Sequence, residues 1–245
     1  MKLLSCLTCC IAIGCITDTI AAEKTLTVGV EASRAPFVYL DDANEVSGFE
    51  VDLLRDIALS NGFEVKFVNM PFDALLPSVL TEQVDVAVSC IAMTEERQQI
   101  VDFVGPYYMA GLAAMIRNEF SDRIKSSYDL TGRNICVVNG TTCEEFALSV
   151  KDSVLSKFDS EQESLSAIKE GKCDLLVTDA PVIDYAYIKQ NPGQFYRLKN
   201  NLTFEQFGII SSKLRPDLTD RIDKGLKALV ANGKYDSLRN KWFRD

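Results

Sequence analysis

Val84-Asp85-Val86-Ala87-Val88 runs directly into Ser89-Cys90-Ile91-Ala92-Met93 and then into Thr94-Glu95-Glu96-Arg97. The first five residues are rich in branched apolar side chains, as a buried strand is. Thr94 followed by acids reads as a helix N-cap. Upstream lie a helix from about 73 to 82 and an alternating strand, Phe63, Val65 and Phe67. Before these, Leu53, Leu54, Ile57 and Ala58 recur at helical spacing up to the Asn61-Gly62 stop, and Thr25 to Val30 alternates as a strand. Strand, helix, strand, helix, strand implies a parallel α/β sheet.

The pattern then restarts. Asn134 to Val138 reads as a strand, Cys143 to Val150 and Glu161 to Glu170 as helices, Asp174 to Thr178 as a strand, and Ala180 to Gln190 as a helix. Two units of similar order predict two lobes. A strand over Phe207 to Ser211 and helices over Pro216 to Ala231 and Lys234 to Lys241 complete the chain.

With 245 residues, 47% of them hydrophobic and 25% charged, the chain can bury a core. Its first residues place Lys2 before an apolar run from Leu3 to Ile16, then a polar turn and small residues, the layout of a secretory leader over 1–22. Ala12-Ile13-Gly14-Cys15 is also a poor lipobox, which would put a lipid on Cys15. No later stretch has the apolar length of a membrane span, so the mature protein is expected to be soluble.

Four of the eight cysteines fall in that leader, leaving Cys90, Cys136, Cys143 and Cys173. Export to an oxidising compartment permits two bridges among them, in three full pairings. Cys136 with Cys173 is favoured because both sit at the edges of strand-like runs, against the alternative of four free buried thiols.

A formal charge of −9, with no basic run longer than two residues, argues against nucleic acid. The chain contains no histidine, which removes Ser-His-Asp and Cys-His chemistry and the usual zinc sites. Neither a GxGxxG nor a phosphate-loop motif is present. Binding without covalent chemistry, cofactor or metal is the expectation.

Three strand ends carry candidate binding groups, because ligands of open α/β sheets gather there against helix N-termini. At the first, Ser89 to Arg97, the planar fork of Arg97 suits bidentate capture of a carboxylate; the plain alternative is a surface pair with Glu95 or Glu96. At the second, Asn139-Gly140-Thr141-Thr142-Cys143-Glu144-Glu145, a capping box begins at Thr141 or Thr142. At the third, Asp179 either binds an ammonium or caps the next helix at Ala180.

Taken in order, Ala35-Pro36-Phe37, Gly48-Phe49-Glu50-Val51-Asp52-Leu53, Phe72-Asp73-Ala74-Leu75-Leu76-Pro77, Thr94-Glu95-Glu96-Arg97, Val101-Asp102-Phe103, Pro106-Tyr107-Tyr108, Asn139-Gly140-Thr141-Thr142 and Lys241-Trp242-Phe243 resemble the amino-acid-binding family of periplasmic solute-binding proteins. The resemblance implies a two-lobed α/β periplasmic-binding fold, with two parallel-sheet lobes joined by hinge strands. Lobe 1 would span about 23–106 plus 208–245 and lobe 2 about 112–202, with crossings near 107–111 and 203–207. It further implies a monomer that captures a small amino acid and delivers it to the permease subunits of an ABC transporter. A cyclohexadienyl (prephenate or arogenate) dehydratase on the same scaffold, or a ligand sensor, is the alternative.

By resemblance, Arg97 holds the ligand carboxylate with the backbone N–H groups of Ala92 and Thr142, and Asp179 holds the α-ammonium. Ser89, Cys90, Thr141 and Gln206 join them as candidate contacts. Three positions depart from the pattern. Arg34 stands where an aromatic residue usually stacks on the ligand side chain, Ala92 replaces a Ser or Thr, and Cys90 replaces a Gly or Ser. Glu31 points to a cationic ligand, whereas Arg34 either neutralises Glu31 or greets an acidic side chain, so the ligand is left open.

Overall fold

The computed structural model describes residues 24–243, so the predicted leader and Cys15 lie outside them. The first half of the chain builds β1 (Lys24–Val30), β2 (Ser33–Arg34), β3 (Val38–Leu40), β4 (Val46–Ser47), α1 (Phe49–Ser60), β5 (Phe63–Asn69), α2 (Phe72–Leu80), β6 (Val86–Ala87), α3 (Glu95–Ile100) and β7 (Val101–Ala110). The second half continues with β8 (Leu112–Arg117), β9 (Asn134–Val138), α4 (Thr142–Ser149), β10 (Val154–Phe158), α5 (Glu161–Lys169) and β11 (Leu175–Asp179). A short helix α6 (Ala180–Val182) passes through a π turn (Ile183–Tyr187) into α7 (Ile188–Gln190). Strands β12 (Phe195–Arg197) and β13 (Glu205–Ser212) and helices α8 (Pro216–Ala231) and α9 (Lys234–Phe243) follow.

Two five-stranded sheets organise these elements, in the orders β5-β1-β6-β13-β7 and β10-β9-β11-β8-β12. The expectation of parallel sheets needs correction. Each sheet has a parallel core, β5-β1-β6 or β10-β9-β11, but β13 pairs antiparallel with β6 and β7, and β8 antiparallel with β11 and β12. The reversal comes from chain path, since β7 leads through Gly111 into β8 of the other sheet and β13 returns beside β7, with Glu205 opposite Ala110 and Gln206 opposite Met109. A Cβ on Gly111 would lie 2.1 Å from the carbonyl oxygen of Thr203, so only glycine lets the two crossing segments come this close.

Alternation explains the packing. Leu26, Val28 and Val30 of β1 are buried with Leu53, Leu54 and Ile57, the apolar stripe of α1. In the second sheet Ile135 and Val137 of β9 join Leu112, Ala114 and Ile116 of β8. Each such Val, Leu or Ile side chain contributes roughly 1.5–3 kcal/mol by leaving water. Cys136 on β9 is bridged to Cys173 just before β11, with Cα atoms 5.8 Å apart, while Cys90 and Cys143 are free and buried.

Candidate functional site

The turn after β6 is held from two sides. Ser89 is fully buried, and its hydroxyl donates to the carbonyl of Glu31 at 3.1 Å. Cys90 adopts a left-handed backbone (φ 50°), a conformation that costs a residue with a Cβ. Its N–H donates to Glu50 Oε1 at 2.8 Å, and the Tyr107 hydroxyl donates to the same oxygen. Complete burial pushes Glu50 up to about 7, against these two hydrogen bonds.

Arg34 does not line an open pocket. Its side chain is buried between the two sheets with three carboxylates around it: Nε lies 3.1 Å from Glu31 Oε2, and Nη1 lies 3.1 Å from Asp179 Oδ2 and 3.5 Å from Glu161 Oε2. The guanidinium carbon sits 5.1 Å from the centre of the Phe72 ring, so an aromatic face is present but comes from α2. Burial works against the charge of Arg34, yet Glu161, Glu31 and Asp179 together raise its pKa well above the ordinary value. One guanidinium cannot compensate three buried acids. Burial accordingly pushes Asp179 up to about 8 in spite of Arg34, and Glu161 also rises. Among the described residues, Arg34 Nη2, Glu161 Oε1 and the hydroxyls of Thr178 and Tyr187 are buried without a hydrogen-bond partner. Asp179 precedes α6 but makes no side-chain cap bond, so its carboxylate serves the cage.

Arg97 stands at the start of α3, whose N-cap is Thr94, accepting from the Arg97 N–H at 3.2 Å. Its guanidinium turns back to donate to the carbonyl of Ala92 at 3.1 Å and reaches across to the carbonyl of Gly140 at 3.0 Å. Among the ion pairs of the described residues, none joins Arg97 to Glu95 or Glu96. Phe72 lies under this guanidinium too, 5.6 Å from its carbon. Burial lowers the Arg97 pKa, and Glu145 and Glu205 oppose the shift.

Thr141 caps α4: its hydroxyl accepts from the Glu144 N–H at 3.3 Å and donates to Val138 O at 2.7 Å, which commits it to the backbone. Thr142 opens the helix, so its own N–H has no partner within the helix. Its hydroxyl donates to Glu205 Oε2 at 3.1 Å, and Thr203 donates to Glu205 Oε1 at 3.3 Å. Burial raises the Glu205 pKa. Ala92, Thr142 and Gln206 line a cavity of about 590 Å³ with Thr94, Glu145, Phe146 and Glu205. A smaller cavity of about 280 Å³ is lined by Arg97 with Phe72, Asp73 and Gly140.

The geometry thus gathers Glu31, Arg34 and Asp179 into one cluster, and Arg97, Ala92, Thr142 and Gln206 into an adjoining one. Ser89 and Thr141 support the backbone. Glu50, Phe72, Glu161 and Glu205 join the site without having been singled out. Phe72 lay within a quoted motif, but Glu161 reads locally as an ordinary first-turn helix acid after the Ser160 cap, and nothing in its segment reveals Arg34, 127 positions upstream.

Comparison with known proteins places this architecture. The model of bacterial extracellular solute-binding proteins, family 3, matches residues 26–245. ABC transporter arginine-binding protein 1 of Escherichia coli (strain K12) is 30% identical over 228 residues, covering 91% of this chain and 92% of that protein. An ancestral arginine-binding protein bound to arginine superposes with a TM-score of 0.86 at 35% identity, over 90% of this chain and 98% of that one. The ancestral amino acid-binding protein AncCDT-1, a precursor of cyclohexadienyl dehydratase, gives 0.83 at 32% identity, over 90% and 96%. The chain belongs to the bacterial extracellular solute-binding proteins of family 3.

Proposed function

We propose that this protein captures an amino acid with a cationic side chain between its lobes and presents the closed form to the membrane subunits of an ABC transporter. One observation carries the choice of ligand: three buried carboxylates, Glu31, Glu161 and Asp179, surround a single guanidinium beside the Phe72 ring. That is a chemically complete recognition site for arginine-like cations. The excess of acid over base there, extended by Glu205 and Glu145 near Arg97, favours a ligand that brings positive charge.

In this reading the ligand carboxylate meets Arg97 and the free first N–H of α4 at Thr142, where the helix end attracts an anion. The α-ammonium meets Asp179, and the side-chain cation meets Glu161 and Glu31. Closure removes water and strengthens each of these pairs. The lobe limits, 23–106 plus 208–245 and 112–202, and the crossings at 107–111 and 203–207 are supported by the β7/β13 pairing. Export by the 1–22 leader, with or without a lipid on Cys15, fits the buried Cys136–Cys173 bridge, since such bridges persist in oxidising compartments. The working unit is a monomer. Thermal-shift screening of the twenty amino acids tests the assignment: Arg, Lys or His should stabilise the protein at micromolar concentration, and stabilisation by Glu or Asp alone would overturn it.

A catalytic reading has one observation in its favour, a buried carboxyl at Asp179 whose pKa is pushed up to about 8, in the range that suits a general acid. Incubation with prephenate and detection of phenylpyruvate decides it. The ion pair that Asp179 makes with Arg34 favours binding.

A further inference from the structure

We propose that Arg34 stands in for the ammonium of an amino acid and latches the lobes closed when no ligand is present, while Glu205 stands beside the carboxylate end of the same site. The inference rests on the amino-acid site argued above but concerns what fills it. Arg34 comes from β2, beside the first sheet, and its Nη1 reaches Asp179 at 3.1 Å and Glu161 at 3.5 Å, both from the second half of the chain. It is 1% exposed and fills the place where an ammonium would lie. At the other pole Glu205, on the returning strand, presents its carboxylate to Thr142 at 3.1 Å, the first residue of α4. A cation therefore sits on the acid predicted to hold an ammonium, and an anion accepts from the hydroxyl of Thr142, the residue whose N–H is predicted to hold a carboxylate.

Two consequences follow. A ligand must displace Arg34, so its apparent affinity is reduced by the fraction of molecules in which the latch is engaged. Displacement also leaves Glu31, Glu161 and Asp179 to be compensated. A single α-ammonium replaces one charge among three acids, whereas a basic amino acid supplies two. Arg34 thus acts as a specificity-determining residue, rejecting neutral amino acids by competition. An aromatic residue at this position would have no such effect.

The test compares ligand-stripped wild type with Arg34→Ala, Asp179→Asn and Glu205→Gln, by small-angle X-ray scattering and by calorimetric titration with arginine. The latch predicts that stripped wild type is as compact as the arginine-saturated form. The Arg34→Ala and Asp179→Asn proteins should expand when stripped, and Arg34→Ala should contract again with arginine and bind it at least tenfold more tightly. Glu205→Gln should expand less. If Arg34→Ala does not fold, Asp179→Asn and Arg34→Gln carry the scattering test. Expansion of stripped wild type, or variants as compact as wild type, would overturn the latch even if arginine binds tightly. Expanded variants with no amino acid bound by any form would instead sink the ligand assignment and leave the latch standing.

Discussion

Arg34 Nη1 lies 3.1 Å from Asp179 Oδ2, a buried contact between residues 145 positions apart that ties the two halves of the molecule together. Removing one partner of such a pair leaves the other charge buried and uncompensated, which typically costs 3–5 kcal/mol. Here the remaining members of the cage soften the loss, because Arg34 has three acids and two of them, Asp179 and Glu161, are shifted by burial toward holding a proton.

That proton uptake makes stability depend on pH. Asp179 is held at about 8 and Glu50 at about 7, both above their ordinary values. A carboxyl whose folded-state pKa is raised binds protons that the unfolded chain gives up, so its contribution is fully present below about pH 4 and is lost as pH rises through 7 to 8. The Glu50 shift alone is on the order of 3 kcal/mol. Stripped protein should therefore melt several degrees lower at pH 8.5 than at pH 5, and Glu50→Gln should flatten the profile. A Tm independent of pH across that range would contradict the burial argument.

Arg97 joins the Ala92 turn to Gly140 across the cleft by two hydrogen bonds. Arg97→Ala should weaken amino-acid binding by more than about 2 kcal/mol, roughly thirtyfold, in a calorimetric titration. Unchanged affinity would move the carboxylate subsite elsewhere.

Gly140 has φ 71°, and a Cβ there would approach the Asp73 Cβ to 2.9 Å. Asp73 belongs to α2 and Gly140 to the turn before α4, so the clash arises where the two lobes meet. Gly140→Ala should lower ligand affinity by about tenfold or more, through strain of roughly 1–3 kcal/mol. Full affinity in this variant would mean that the lobes bind ligand without this contact.

The Cys136–Cys173 bridge closes a loop with a sequence separation of 37. Replacing both cysteines by serine should cost about 4 kcal/mol in chemical denaturation, by the loop-entropy estimate. Ligand affinity should be little changed, because the bridge lies within one sheet. A loss of binding without a loss of stability would be inconsistent with that placement.

Much of the fold was legible because it is local. The strand at Asn134 to Val138 matches β9, the expected helical run from Ala180 to Gln190 is present with a π turn inside it, and Thr94 caps α3 as its position suggested. The antiparallel edges were not, because strand direction depends on where the chain crosses between sheets, which periodicity does not encode. Within the site, Asp179 was legible as a charged residue at a strand end. Its partner was not: Arg34 lies on a two-residue strand far away in sequence, and only the closing of the two sheets brings them together. The conflict between Glu31 and Arg34 resolves in the same way, since they are neighbours in one cage at 3.1 Å, with Glu161 supplying the third acid.

The most direct measurement is calorimetric titration of the unfolded, dialysed and refolded protein with arginine, lysine, histidine, glutamine and glutamate. The account predicts a one-to-one complex with at least one basic amino acid at micromolar or lower Kd, about −8 kcal/mol or more favourable, and none with glutamate. Binding of glutamate, or of no basic amino acid at all, would contradict it.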